Sequence, residues 1–225
     1  MVNLYKMPLS VWLFFTYTRI MKKFPEIIPV FPLSGVIYFP KTNLPLNVFE
    51  QRYLDLVNDA YNSNKLMGMV QSKKKNSSVY DIGCLGKISD YQKSRDGRIL
   101  INLTGISRFK ILKEVPSSKL YREFKVDYES FVEDIENIHD EVDAKELMEK
   151  AKTFFKRNGL LLNWREFDKL DHTQKINTLA MIAPITNEEK QKLLEAISLE
   201  NKIKTLESII SFYLYETSES NQTIQ

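Results

Sequence analysis

Cysteine is nearly missing from this sequence. Cys84 stands alone among 225 residues, so no disulfide closes within the chain and a reducing cytosol is the natural compartment. Histidine is almost as scarce: His139 and His172 lie apart at the polar beginnings of predicted helices. Neither belongs to an H-E-x-x-H pair, and one cysteine with two scattered histidines builds no zinc site. The seven glycines form neither G-x-x-x-x-G-K-[ST] nor G-x-G-x-x-G, which removes a recognisable ATP loop or dinucleotide cradle. No serine sits in a G-x-S-x-G elbow. Cys84, in "DIGCLGKI", has only Lys87 close in sequence to favour a thiolate and is expected to be a small buried hydrophobe. The sequence therefore offers no catalytic residue, no metal ligand and no cofactor site.

A long hydrophobic run is also lacking. "MPLSVWLFFTYTRIMKK" holds an apolar stretch of about ten residues, well short of the ~20 that span a bilayer. It makes a poor signal peptide, because the stronger charge follows the run and no A-x-A-like site appears. Translation from Met21 is the expected explanation, with a peripheral membrane contact as the alternative and no stable insertion in either case.

Charge of both signs is plentiful but unevenly placed. Residues 1–125 carry 20 Lys and Arg against 9 Asp and Glu, whereas residues 126–225 carry 12 against 20. Opposite charges can serve solubility and draw the halves together; a basic half also raises nucleic acid as a partner. The acidic run "ESFVEDIENIHDEVD" reads as a solvated face, and "SKKKNSSVYD" as a solvated polar loop.

Periodicity divides the chain at the same place. "IIPVFPL" and "LMGMVQ" are short apolar runs broken by Pro or Gly, as at a barrel edge or bend. "RILINLTG" alternates with Ile99, Ile101 and Leu103 on one face, and the Asp96-Gly97 turn joins it to "CLGKISDYQ" as a hairpin. "FKVDYESF" alternates through Phe124, Val126 and Tyr128. One helix is predicted here, capped by Asn47 with Glu50 as capping-box partner and carrying a stripe of Phe49, Tyr53, Val57 and Tyr61.

Beyond about Glu133 the pattern is helical. One helix ends at Asn158-Gly159, a second is capped by Asp171 with Gln174 and stops before Pro184, and a third opens on the Thr186/Glu189 capping box. A fourth carries Ile203, Leu206, Ile210 and Tyr213. The expected organisation is an unassigned extension over 1–22, a β-rich part over 23–132, a helical bundle over 133–216 and a disordered tail over 217–225. This is an α+β class, with a groove or hinge between the parts as the default ligand site.

Four stretches carry a family resemblance: "PVFPLSGVIYFPKTNLPLNVFEQRYLDLV", "YDIGCLGKI", "DGRILINLTGISRFKI" and "NEEKQKLLEAISLENKIKTLESII". In this order they resemble the N-terminal, substrate-binding domain of the ATP-dependent Lon proteases, over about Pro29 to Phe212. The resemblance implies a PUA-like β pseudobarrel followed by a C-terminal helical bundle. It also implies a stand-alone domain without the ATPase and Ser-Lys peptidase domains, hence not an enzyme. Glu50, Arg52 and Arg108 match charged positions of the family motifs. They are expected to brace helix against barrel, or alternatively to place an arginine in a groove that holds a peptide carboxylate. Phe49 and Tyr53 are expected to plug the barrel. The implied partners are unfolded or partly folded polypeptides, with the chain serving as adaptor or modulator of a protease. The alternative is RNA, bound by a basic barrel face that includes Lys73, Lys74, Lys75, Arg95, Arg98, Arg108 and Lys110.

Overall fold

The computed structural model describes residues 24–73, 78–136 and 142–220. The expectations for the N-terminal extension, for His139 and for Lys74 and Lys75 lie outside the described residues.

Six strands come first: β1 (Ile27–Leu33), β2 (Asn43–Val48), β3 (Leu66–Gln71), β4 (Ile82–Lys93), β5 (Ile99–Val115) and β6 (Arg122–Asp127). Helix α1 (Gln51–Asn62) stands between β2 and β3. The sheet order is β2-β5-β4-β3-β1-β6, and a further β5–β6 pairing closes five of the strands into a ring. Closure rests on the length of β5. One edge pairs β4 from Ile99 to Lys110, while the other pairs first β2 (Ile99–Thr104) and then β6 (Lys110–Val115). Bulges at Leu85/Gly86, Ile88/Asp90 and Ile111/Lys113 add the local twist that a small barrel needs.

The prolines of "IIPVFPL" fit because each edge of β1 is paired over only half its length. Residues Ile27 to Val30 pair β6, and Val30 to Leu33 pair β3, so Pro29 and Pro32 each face one side with no ladder bond to give. Inside the ring lie Ile28, Val30, Val70, Leu85, Phe109, Phe124 and Val126. The alternation read in "RILINLTG" is present, with Ile99, Ile101 and Leu103 buried, but these side chains face outward from the ring into a second, larger apolar layer.

That second layer joins barrel to bundle. It runs from Tyr38, Phe39, Tyr53 and Leu56 into the helical residues Leu147, Phe155, Ile176 and Leu206. The helices are α2 (Val132–Glu136), α3 (Lys145–Arg157), α4 (Trp164–Phe167), α5 (His172–Ile182), α6 (Asn187–Glu195) and α7 (Leu199–Ser220). Local signals placed their ends: Asp171 accepts a bond from the Gln174 amide, and Thr186 with Glu189 forms a reciprocal capping box. α3 stops where Gly159 takes a positive φ of 67°. α7 continues to Ser220, past Glu216, where a frayed tail was expected.

Two expectations about α1 are corrected. Asn47 does not cap the helix, because it is held in β2 opposite Leu100; the N-cap is Glu50, without a side-chain bond. The buried stripe is Tyr53, Leu56, Val57 and Ala60, and Phe49 precedes it on the outside.

The turn at residues 39–42 lies directly on β5. Lys41 N–H donates to Gly105 O and Gly105 N–H to Thr42 O, both at 2.9 Å. A Cβ on Gly105 would stand 2.2 Å from the Phe39 carbonyl oxygen. Gly105→Ala is therefore expected to destabilise the protein by about 1–3 kcal/mol, measured by urea unfolding.

Candidate functional site

The family-motif charges do not assemble into one site. Arg108, on β5, is 2% exposed and spends its whole guanidinium inside the joint between barrel and bundle. Its Nε donates to Asp134 Oδ2 at 2.8 Å and its Nη2 to Oδ1 at 2.9 Å, while its backbone N–H also reaches Oδ2 at 3.0 Å. Nη1 donates to the carbonyls of Leu194 (3.2 Å) and Ala196, and Nη2 to that of Ile197 at 3.4 Å. These carbonyls lie at the end of α6, where the helix leaves acceptors unpaired and its dipole favours a cation. The Phe131 ring lies against the guanidinium, 4.4 Å from its carbon. Burial works against a charged Asp134, but the hydrogen bonds and charge of Arg108 hold its carboxyl below the usual carboxylate range.

A brace between barrel and helices thus exists, but not with the expected members. Glu50 bonds Arg52 instead, at 2.7 Å, and both side chains are about half exposed. Such a pair on one turn of chain contributes little to stability. Asp134, the true partner of Arg108, lies within the acidic run whose composition predicts a solvated face, and its burial corrects that expectation. The signal that marks it is apolar flanking: Phe131 is buried and Ile135 packs against the barrel interior. The groove expected between the two parts is filled by this polar joint and the continuous apolar layer.

An open concavity lies elsewhere, at the turn between β5 and β6. A cavity of about 420 Å3 is lined by Glu114, Val115, Pro116, Ser117, Lys119, Leu120, Tyr121 and Arg122. α1 is fastened beside it, since Tyr121 donates its hydroxyl to Asp59 at 2.7 Å. Tyr53 stacks on Phe31 with ring centroids 4.0 Å apart, and the Arg52 guanidinium carbon is 4.6 Å from the Tyr53 centroid. Burial raises the Tyr53 hydroxyl; Arg52 and Arg122 oppose the rise and Glu50 adds to it. Burial also pushes Tyr121 up to about 12, with Asp59 adding to the effect and Lys119 opposing it.

The charges here are paired with one another. Arg122 grips Glu114 through two bonds of 2.8 and 2.6 Å, and Lys119 meets Glu123 at 3.0 Å. Leu120, in the lining, is 66% exposed, and Phe49, just before α1, is 67% exposed; both are among several exposed large apolar side chains of the protein. Phe49 therefore does not plug the barrel, because it precedes the helix on its solvent side. Tyr53 is buried, yet in the outer layer against Phe31; Phe109 fills the ring.

Cys84 is buried on β4, and burial together with Asp134 pushes its thiol far up. His172 opens α5 with its Nε2 buried and unpartnered. Among the described residues, no group of three or more His, Cys, Asp or Glu could hold a metal, and no helix is long and apolar enough to cross a membrane.

The profile of the ATP-dependent protease La (LON) substrate-binding domain matches residues 27–211. The chain belongs to the Lon substrate-binding domain family. It is similar to the Lon protease of Syntrophus aciditrophicus, with 27% identity over 90% of this chain and 27% of the relative. The Lon protease of Dictyoglomus thermophilum shows 24% identity over 84% of this chain and 24% of the relative. The chain thus spans about a quarter of the length of these relatives. Its fold matches a Lon N-terminal domain protein from Xanthomonas campestris, with a TM-score of 0.61, 22% identity and coverage of 80% of this chain and 96% of the other. The N-terminal domain of a Mycobacterium avium complex Lon protease gives the same TM-score at 16% identity, covering 82% and 98%. The α+β class, with a barrel followed by a helical bundle, is the Lon N-terminal fold.

In this Lon-type domain the joint and the surface should respond differently to mutation. Asp134→Ala is expected to cost about 3–5 kcal/mol, because it strands the buried Arg108 charge. Glu50→Gln should change stability by less than about 1 kcal/mol. Urea unfolding of the two variants checks both values.

Proposed function

We propose that the chain is a non-catalytic polypeptide-binding module, and that the barrel end formed by the start of α1 and the β5–β6 turn is its binding surface. The observation that carries this reading is the exposure of Leu120 in a cavity whose charges are already paired, together with that of Phe49 just before α1. Large apolar side chains held in water on a rigid frame favour a partner that covers them. An exposed hydrophobic segment of an unfolded chain supplies such cover in many sequences, because the frame asks for apolar area rather than a fixed hydrogen-bond pattern. Glu50, Arg52 and Arg122 flank the apolar residues and can exchange partners with the ends or charges of a bound segment. Membership in the Lon substrate-binding family supports the same reading. In the cytosol such a module would serve proteolysis as an adaptor or modulator.

RNA is less well supported as a partner. Arg108, one of the basic residues expected on an RNA-binding face, is locked in the joint, and Arg98 is paired with Asp96 at 2.7 Å.

Fluorescence anisotropy with a labelled unfolded polypeptide and a labelled structured RNA, each at low and high salt, tests the proposal. Polypeptide binding should persist at high salt and weaken about tenfold in the Phe49→Ser/Leu120→Ser double variant, with the unfolding midpoint unchanged. Salt-sensitive binding of RNA alone, or polypeptide binding indifferent to the double variant, would contradict it.

A further inference from the structure

Lys202 sits one turn into α7 and is 2% exposed, which is unusual for the side chain that most readily keeps its head in water. Its Nζ donates one hydrogen bond, 2.7 Å long, to Asn177 Oδ1 on α5; Asn177 Nδ2 in turn donates to the Pro40 carbonyl at 2.9 Å. The Phe39 ring centroid lies 5.4 Å from Nζ. Lys202 thus ties α7 and α5 to the turn that rests on β5.

Among the described residues it does so without an ion pair. Both oxygens of Asp134 are occupied by Arg108, so the buried carboxylate of the joint is already spent. An ammonium carries three donors, and among the described residues one acceptor bonds it. The groups that act on it from the surrounding elements are Arg108 on β5, Asp134 and Glu133 on α2, and Cys84 on β4. The Cys84 thiol is held protonated and adds no charge.

We propose that Lys202 is a proton-operated latch on the joint between barrel and bundle. The closed joint favours the neutral amine, because it withholds water from the charge. When α7 lifts from the 39–42 turn the amine meets water and takes up a proton, so opening is linked to proton uptake. Burial, followed by the positive charge of Arg108, brings Lys202 down from its ordinary 10.5 to about 7 in the closed joint, outweighing Asp134 and Glu133. Between these two values the open form binds more protons than the closed one, so opening falls as pH rises; below about 7 both forms are protonated and the dependence is flat.

Hydrogen exchange of the α5 and α7 amides, corrected for intrinsic rates, tests the latch in the protein and in Lys202→Met. Between pH 7 and 9 the opening population should fall on the order of 50-fold in the protein, up to tenfold per pH unit, and should lose this dependence in Lys202→Met. The same pH dependence in both would overturn the proposal. If the variant does not fold, the Lys202 side-chain NMR titration in the unmodified protein decides: a midpoint below 9 supports the latch, and one at 9 or above overturns it.

Discussion

Arg108 is the point on which barrel and bundle depend together. Its backbone belongs to β5, the strand that closes the ring by pairing β4, β2 and β6. Its guanidinium holds Asp134 of α2 and the carbonyl end of α6. Desolvating a guanidinium costs several kcal/mol unless its donors are answered, and here the answer comes from two helices and an aromatic face. The geometry specifies how the helices sit on the barrel more than it adds net stability, because a buried ion pair roughly offsets its own desolvation.

The joint and the candidate binding surface divide the polar chemistry between them. In the joint, charges are buried and fixed, and the one lysine present, Lys202, is drawn toward neutrality. On the surface, charges pair locally in water, where each pair is weak and can be rearranged. Apolar groups show the reverse: the layer between barrel and bundle is buried and continuous, while Leu120 on the β5–β6 turn and Phe49 before α1 are among the exposed ones. A scaffold that is rigid in one place and apolar and open in another suits recognition better than chemistry.

How far the sequence showed this depends on the range of each interaction. Asp171 with Gln174 and Thr186 with Glu189 were legible because a cap is settled within four residues. The alternation through Ile99, Ile101 and Leu103 gave a strand, but not which of two apolar layers it would face; that is decided by ring closure. Arg108 stood out as a family-motif residue, whereas its partner is 26 residues away, near the exposed Glu129 and Glu133. Phe49 looked like core because it is apolar and four residues before Tyr53, yet α1 starts too late to turn it inward. Lys202 carried no signal at all, since no local pattern says that a lysine beside Ile203 will have no water to reach.

The most direct measurement is a hydrogen-exchange footprint of the protein with and without a saturating unfolded polypeptide. We expect new protection over residues 49–53 and 114–122, with the bundle unchanged. Protection confined to the bundle, or none anywhere, would contradict a polypeptide-binding surface at the barrel end.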